Sequence, residues 1–151
     1  LKLSCAGVPI FLLIRGICCI RPGVLGKTEN IHVESIVGRF LEHSRIYCFG
    51  IGEEMKIYIS SADMMTRNTR RRVEIACPIY DPVIRERIKK MIFILKKDNV
   101  QASMLQADGE YILKDSKEEK INSQLYFLRD AKNHRQEPKV KKKNLLELLR
   151  D

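Results

Sequence analysis

The sequence feature that most constrains the fold is an uninterrupted apolar run at residues 8–14. Its length and its β-branched content are typical of a strand that is buried on both faces, which is the usual state of a strand in a parallel sheet. Arg15 and Gly16 end the run with a charge and a glycine. The run is far shorter than the roughly 20 residues needed to cross a bilayer. It therefore predicts an α/β fold and argues against a transmembrane protein.

The remaining segments mix strand and helix signals, which supports the α/β class. Asp81 followed by Pro82 is a strong helix start, and apolar residues at helical spacing continue to about residue 97. Asn122 or Ser123 caps a second helix that ends near Arg129. Residues 62–68 predict a short helical turn, and residues 44–49 with 56–60 predict a hairpin around two glycines. Further strands are predicted at residues 31–37, 72–77 and 110–113.

These signals predict one domain at residues 1–131 and a basic tail with a short terminal helix at residues 132–151. Ala6 and Gly7 resemble the end of a helix whose start is missing. The chain also begins with Leu1 and not with Met. We therefore expect a piece of a longer chain, in which a mixed sheet is flanked by helices.

Charge and cysteine content narrow the class of protein. Twenty-eight Lys and Arg against nineteen Asp and Glu give a net charge of +9, which suits nucleic acid, an acidic membrane surface or another polyanion as partner. No nucleic-acid-binding motif is present, so we do not expect a nucleic acid as partner. The five cysteines form no C-x-x-C pair, which favours reduced, buried thiols in a cytoplasmic protein. The same spacing, with only three histidines, predicts no metal site.

The first candidate site is the H-x-R pattern of His43 and Arg45. If residues 44–49 form a strand, alternation places His43, Arg45, Tyr47 and Phe49 on one side. An imidazole can attack phosphorus or carry a proton near neutral pH, and a guanidinium can hold phosphate oxygens. A surface histidine beside a surface arginine is the plainer interpretation of so short a pattern.

The second candidate site follows the next strand. Ser60, Ser61 and Asp63 lie at its end, and small hydroxyl residues there allow backbone N–H groups to approach an anion. Asn68 follows shortly, and positive charge is supplied by Arg67, Arg70, Arg71 and Arg72. The plainer interpretation is a capped helix start with arginines in solvent.

Together the two patterns resemble half of a site of the phospholipase D-like superfamily. The resemblance narrows to bacterial polyphosphate kinase of the first class, whose last catalytic domain is matched over about residues 1–131. The matching segments occur in the same order and at the expected spacing: residues 13–23, 29–31, 35–47, 61–63, 67–68, 71–74, 81–82 and 121–124. Ser60 stands where the family usually has glycine, Met64 where it commonly has an aromatic residue, and Thr66 and Arg70 also differ from the common residues. The resemblance also implies that this phospholipase D-like domain lacks its first strand.

The resemblance implies an activity and a set of roles. The family reversibly transfers the terminal phosphate of ATP to inorganic polyphosphate through a phosphohistidine, with magnesium (Mg2+) as cofactor. The phosphorylated histidine lies in a domain upstream of Leu1. His43 matches the second, catalytic histidine, and Arg15 matches a phosphate- or nucleotide-binding arginine. The implied ATP- and polyphosphate-binding set is Arg15, His43, Arg45, Ser61, Asp63, Arg67, Asn68 and Arg71. The partners that the resemblance implies for this protein are ATP or ADP, polyphosphate and the upstream domains of the same chain.

Two alternative functions remain at this stage. A non-catalytic polyanion-binding module would keep the arginines and use His43 only structurally. A phospholipase or nuclease of the wider superfamily would prefer lysine at Arg45, which is absent. An exposed sheet edge would also permit a homo-oligomer.

Overall fold

The computed structural model describes residues 1–114 and 116–135. The helices in this part of the chain are α1 (Lys2–Cys5), α2 (Thr66–Arg71), α3 (Pro82–Lys97) and α4 (Ser123–Arg135). The strands are β1 (Ile10–Leu13), β2 (Ile31–Ile36), β3 (Ile46–Phe49), β4 (Lys56–Ser60), β5 (Ala76–Pro78), β6 (Ala102–Leu105) and β7 (Tyr111–Leu113). A single 3₁₀ turn at Gly52–Glu54 lies between β3 and β4. None of these helices is long and apolar enough to cross a membrane.

The strands form two sheets. The first has the order β1-β2-β6-β7, with β1 and β2 parallel and the other pairs antiparallel. The second is antiparallel with the order β3-β4-β5. The mixed α/β class and the parallel pairing of β1 are confirmed, although the strands divide between two sheets. Complete burial of β1 is wrong, because β1 is an edge strand of the described sheet and all four of its residues are only half-buried.

The core lies around β2 and the inner face of α3. Ile31, Val33 and Ile36 of β2 are buried, as are Ile88 and Ile94 of α3. Ile88 and Ile94 are six residues apart, about 120° around the helix axis, so they mark the width of the buried side of α3 and not one line along it. The buried apolar set is completed by Ile57 and Ala102. At its C-terminal end α3 also contacts the first sheet, because Lys96 Nζ lies over the Phe11 ring of β1 and the Lys96 carbonyl accepts from Lys114 after β7.

Helix α3 and strand β4 have the predicted bounds, and the β3–β4 hairpin is confirmed in antiparallel register. The Asp81 carboxylate accepts the Ile84 backbone N–H at 2.9 Å, as expected of a helix N-cap. Other bounds differ: α2 begins four residues later than the predicted turn, and β5 covers only the end of the predicted strand at 72–77. Strand β6 was not predicted at all. Helix α4 extends past both Arg129 and the predicted domain boundary to Arg135.

The predicted terminal helix and most of the basic tail lie outside the described residues. The five cysteines have free thiols, as expected, but the prediction that they are buried is wrong. Cys5, Cys19 and Cys77 are exposed, and Cys18 and Cys48 are half-buried. The cause is their position, since Cys18 and Cys19 lie in the loop after β1 and Cys77 lies on an edge strand.

Candidate phosphate-binding site

Strand ends from both sheets bring two arginines to one carboxylate. Asp63 follows β4, Arg45 directly precedes β3, and Arg15 follows β1. The Asp63 carboxylate accepts hydrogen bonds from Arg45 Nε at 2.9 Å and from Arg45 Nη2 at 3.2 Å, which is a two-point pair. Arg15 Nη2 lies 3.7 Å from Asp63 Oδ2. Asp63 therefore links the first sheet to the second at this point.

His43 joins this group through Arg45. Arg45 Nη1 lies 3.2 Å from His43 Nδ1 and 3.3 Å from the His43 carbonyl oxygen. A guanidinium can only donate, so this contact requires Nδ1 to be the acceptor and places the ring proton of a neutral His43 on Nε2. His43 is exposed, so Nε2 is available to an incoming group. We call Arg15, His43, Arg45 and Asp63 the arginine–histidine cluster.

The electrostatics of the cluster follow from the Arg45–Asp63 pair. The hydrogen bonds from Arg45 hold the pKa of Asp63 below its ordinary value; partial burial opposes this shift, and the positive charges of Arg45 and Arg15 add to it. The same pair raises the pKa of Arg45, although partial desolvation opposes the effect. Two arginines against one carboxylate leave a net positive charge, which favours an anion at this surface.

Tyr47 also shapes the cluster. Its hydroxyl donates to the Ala62 carbonyl at 2.7 Å, next to Asp63. Burial raises the pKa of Tyr47, so the phenol stays protonated and keeps this donor at neutral pH. Alternation along the strand placed Tyr47 on the same side as Arg45, but the sequence pattern assigned it no role. The signal that could have found it is a strand residue two positions after the arginine with a hydroxyl at its tip.

The structure does not bring every predicted site residue to the cluster. The Ser61 hydroxyl donates to Glu74 Oε2 and accepts the Ile75 backbone N–H, and the Ser61 backbone N–H donates to the Ile75 carbonyl. Ser61 is therefore occupied in joining β4 to the residues before β5. His43 and Arg45 also lie just before β3 and not within it, because pairing with β4 begins at Ile46.

The residues of α2 divide into a buried and an exposed set. Asn68 is buried, and its side-chain amide donates to the Asp63 carbonyl at 3.2 Å, which supports the turn that presents the carboxylate. Its Oδ1 atom has no partner among the described residues. Arg67 and Arg71 are exposed and make no hydrogen bond or ion pair within residues 1–114 and 116–135. They are free to contact a long anion.

A separate cavity of about 490 Å3 opens on the second sheet. Its lining is mostly apolar and includes Tyr47, Phe49, Tyr58, Asn68 and Arg72. Arg15, His43 and Arg45 do not border it. Of these two regions within the described residues, the cluster combines fixed cations with an imidazole and the cavity does not.

A metal does not fit the described residues. No group of three His, Cys, Asp or Glu side chains within residues 1–114 and 116–135 is placed to hold a metal ion. Asp63, the carboxylate of the cluster, is already paired with two arginines. We therefore derive no step through Mg2+ from these residues.

Comparison with known proteins identifies the family. The family described as polyphosphate kinase C-terminal domain 2 matches residues 1–124. The polyphosphate kinase of Pseudomonas aeruginosa is 54% identical over 110 residues, which are 73% of this chain and 16% of that protein. The polyphosphate kinase of Bacillus cereus is 48% identical over 130 residues, which are 85% of this chain and 18% of that protein.

A solved structure agrees with the sequence comparisons. The crystal structure of polyphosphate kinase from Porphyromonas gingivalis superposes with a TM-score of 0.82 and 39% sequence identity. The match covers 88% of this chain and 20% of that one. The chain thus spans no more than about a fifth of the length of these relatives. The matched residues 1–124 contain the whole arginine–histidine cluster, and the chain belongs to the polyphosphate kinase C-terminal domain family.

Proposed function

We propose that this chain is the second catalytic domain of a polyphosphate kinase that reversibly transfers the terminal phosphate of ATP to inorganic polyphosphate. The observation that carries the proposal is the pairing of Arg15 and Arg45 with Asp63, with His43 in contact with Arg45. A phosphohistidine in a domain upstream of Leu1 would carry the phosphoryl group between ATP and the polymer. His43 is the second active-site histidine in this proposal.

The cluster suits the physical demands of phosphoryl transfer. Such transfer depends mainly on positioning and on neutralising charge on the phosphate oxygens. Asp63 holds the Arg45 guanidinium at two points, so the arginine is oriented before an anion arrives. His43 Nε2–H can then donate to a phosphate oxygen or pass a proton. Arg15 supplies a second cation from the other sheet.

The remaining family residues contribute at the margin of the cluster. Arg67 and Arg71 are exposed and can follow a long polyphosphate chain away from the reacting phosphate. Asn68 supports the Asp63 turn, and Ser61 supports the end of β4. Magnesium would be held by other parts of the kinase and by the substrate phosphates. The partners proposed are ATP or ADP, polyphosphate, the upstream domains and, through an exposed strand edge, a second copy of the chain.

The decisive experiment compares His43→Ala with His134→Ala in the full-length kinase that carries this chain. His134 is exposed on α4 and, among the described residues, contacts Asp130 of its own helix, so it is a matched control. We expect His43→Ala to abolish polyphosphate synthesis from ATP and His134→Ala to retain it. The 151-residue chain alone should form no polymer. Unchanged synthesis by His43→Ala would instead favour a non-catalytic polyanion-binding module.

A binding experiment separates the cluster from the basic run at residues 139–143. Short-chain polyphosphate is titrated into Arg15→Ala and Lys142→Ala at two salt concentrations. A charge-assisted contact contributes roughly 1.5 to 3 kcal/mol before screening, so we expect Arg15→Ala to weaken binding by about tenfold or more. High salt should weaken binding in all variants. A greater loss in Lys142→Ala would move the binding site to the basic run.

A further inference from the structure

Gln124 joins the start of α4 to the loop that carries His43. Its side chain is buried, with 5% exposure. Oε1 accepts the Phe40 backbone N–H at 3.0 Å, and Nε2 donates to the Phe40 carbonyl at 2.7 Å and to Glu42 Oε1 at 2.8 Å. Both N–H donors and one acceptor position of the Gln124 side-chain amide are therefore hydrogen-bonded to Phe40 and Glu42, shortly before His43. We call these three hydrogen bonds the Gln124 clamp.

Arg45 holds the end of this loop through the His43 carbonyl, but little else holds its first part. Residues 37–45 connect β2 to β3 without helix or strand structure. Phe40 is 45% exposed and Leu41 is 72% exposed, so their burial contributes little to ordering the backbone. A flexible segment gains a defined position only when contacts offset the entropy lost in ordering it. The Gln124 clamp supplies such contacts at the Phe40 backbone.

Gly38 provides independent support for close seating of this loop. A Cβ atom at Gly38 would collide with the side-chain amides of Gln101 and Gln124. The φ angle of Gly38 is not in the left-handed region, so its glycine is explained by the close approach and not by backbone conformation. The loop therefore packs against the Gln124 amide as well as bonding to it.

Gln124 itself is held by a rigid support. The buried Asp98 carboxylate accepts the Ser123 backbone N–H at 2.8 Å and the Ser123 hydroxyl at 2.7 Å. Its other oxygen accepts backbone N–H groups between α3 and β6, including that of Gln101 at 2.8 Å. These bonds fix the first turn of α4 against the core. Gln124 therefore has a defined position, and the Gln124 clamp holds the Phe40 backbone relative to that position.

We propose that Gln124 is a positioning residue that holds His43 against Arg45 for catalysis, an inference that rests on the function proposed above. Only Leu41 and Glu42 separate Phe40 from His43, so release of Phe40 and Glu42 frees the backbone that sets the imidazole position. A misplacement of about 1 Å at a reacting group can cost roughly 100-fold in rate. The effect belongs mainly to kcat, because the phosphate-binding arginines are anchored separately by Asp63.

The test uses Gln124→Met, which keeps the length of the side chain and removes all three hydrogen bonds. Gln106→Met is the matched control, since the Gln106 amide donates only to the Met104 carbonyl at the β6–β7 turn. In the full-length kinase we expect Gln124→Met to lower kcat by about 10- to 100-fold and to change KM by less than about threefold. We expect Gln106→Met to change neither constant.

A second readout does not depend on kinase activity. Hydrogen exchange of the Phe40 backbone amide should become faster by about tenfold or more in Gln124→Met, because its acceptor is gone. Gln124→Glu keeps an acceptor for the Phe40 N–H, so it should retain more of this protection. If Gln124→Met does not fold, Gln124→Glu decides the same kcat and KM comparison, with loss of the Glu42 contact expected to lower kcat.

The outcomes separate this inference from the proposed function. If His43→Ala leaves kcat unchanged, the proposed function fails, and the positioning role fails with it. If His43→Ala lowers kcat while Gln124→Met does not, only the positioning role is overturned. If the apparent kcat falls only in proportion to the amount of folded protein, kcat per folded molecule is unchanged. That result would also overturn the positioning role.

Discussion

Replacement of Asp98 is expected to cause the largest loss of stability within the described fold. The Asp98 side chain is fully buried. Its Oδ1 accepts the backbone N–H groups of Val100 at 3.0 Å, Gln101 at 2.8 Å and Ala102 at 3.3 Å. Its Oδ2 accepts both donors of Ser123. Asp98→Ala would leave all these donors without their acceptor between α3, β6 and α4.

The expected loss in the free energy of unfolding follows from the two carboxylate oxygens of Asp98. A hydrogen bond to a charged group contributes about 1.5 to 3 kcal/mol, and bonds that share one oxygen are not additive. Counting one such contribution for each oxygen gives a loss of about 4 kcal/mol, within the roughly 3 to 5 kcal/mol found when a buried charged pair is broken. That loss is a large part of an ordinary domain stability of about 5 to 15 kcal/mol.

Urea unfolding of the chain at neutral pH measures this loss. With a slope near 2 kcal/mol per molar urea, the midpoint of Asp98→Ala should fall by about 2 M. Asp98→Asn keeps one acceptor and should lose about half as much free energy of unfolding. Asp108→Ala is the control, because exposed Asp108 only accepts the Glu110 backbone N–H at 2.9 Å in a turn. It should change stability by less than about 1 kcal/mol.

The pH dependence gives a separate check on Asp98. Burial alone would raise its pKa, but hydrogen bonds from Gln101, Ser123 and Val100 bring the pKa below its ordinary value. A carboxyl group with a lowered folded-state pKa stabilises the protein above its unfolded pKa of about 3.9, and the benefit is lost as pH falls through the folded value. The stability gap between wild type and Asp98→Asn should therefore narrow below about pH 4. A loss in Asp98→Ala no greater than in Asp108→Ala would refute the reasoning.

Two further predictions concern charged pairs. Arg45→Lys cannot form the two-point contact with Asp63, so polyphosphate affinity measured by titration should fall by about tenfold. Arg87→Lys, on the exposed side of α3, should leave the affinity unchanged. Equal affinities of the two variants would contradict the role of the two-point contact. Glu34 is 1% exposed, and its Oε1 accepts a hydrogen bond from Lys114 Nζ at 2.7 Å. Glu34→Ala should therefore lower the free energy of unfolding, measured with urea, by about 3 kcal/mol or more. A loss below about 1 kcal/mol would contradict this role of the buried pair.

Local signals predicted the elements whose ends are set by neighbouring residues. Asp81 and Pro82 start α3 where expected because a cap acts through one side chain and the next turn of backbone. The β3–β4 hairpin was predictable because its two strands are close in sequence and joined by a short glycine-containing turn. Gly50 in that turn has a φ of 87°, a conformation that glycine adopts readily.

Strand β6 was missed because its sequence carries no strong strand pattern. Ala102 and Ser103 are weak strand formers, and the segment is extended because it pairs with β2 on one side and β7 on the other. The early prediction of α2 has a similar cause. Residues 61–65 are held by contacts with the segment before β5 and by the Tyr47 hydroxyl, so the helix begins only at Thr66.

For the candidate site, the sequence alone determined the residue types and their places at the ends of strands. It identified His43, Arg45 and Asp63 as phosphate-site candidates, and the family resemblance joined them and added Arg15. Only the tertiary structure decided that Asp63 pairs with both arginines, that Ser61 is engaged elsewhere, and that Gln124 holds the histidine loop from 84 residues away. The reason is physical: caps, turns and alternation act over a few bonds of backbone, whereas contacts between distant side chains depend on how two sheets and α4 pack together.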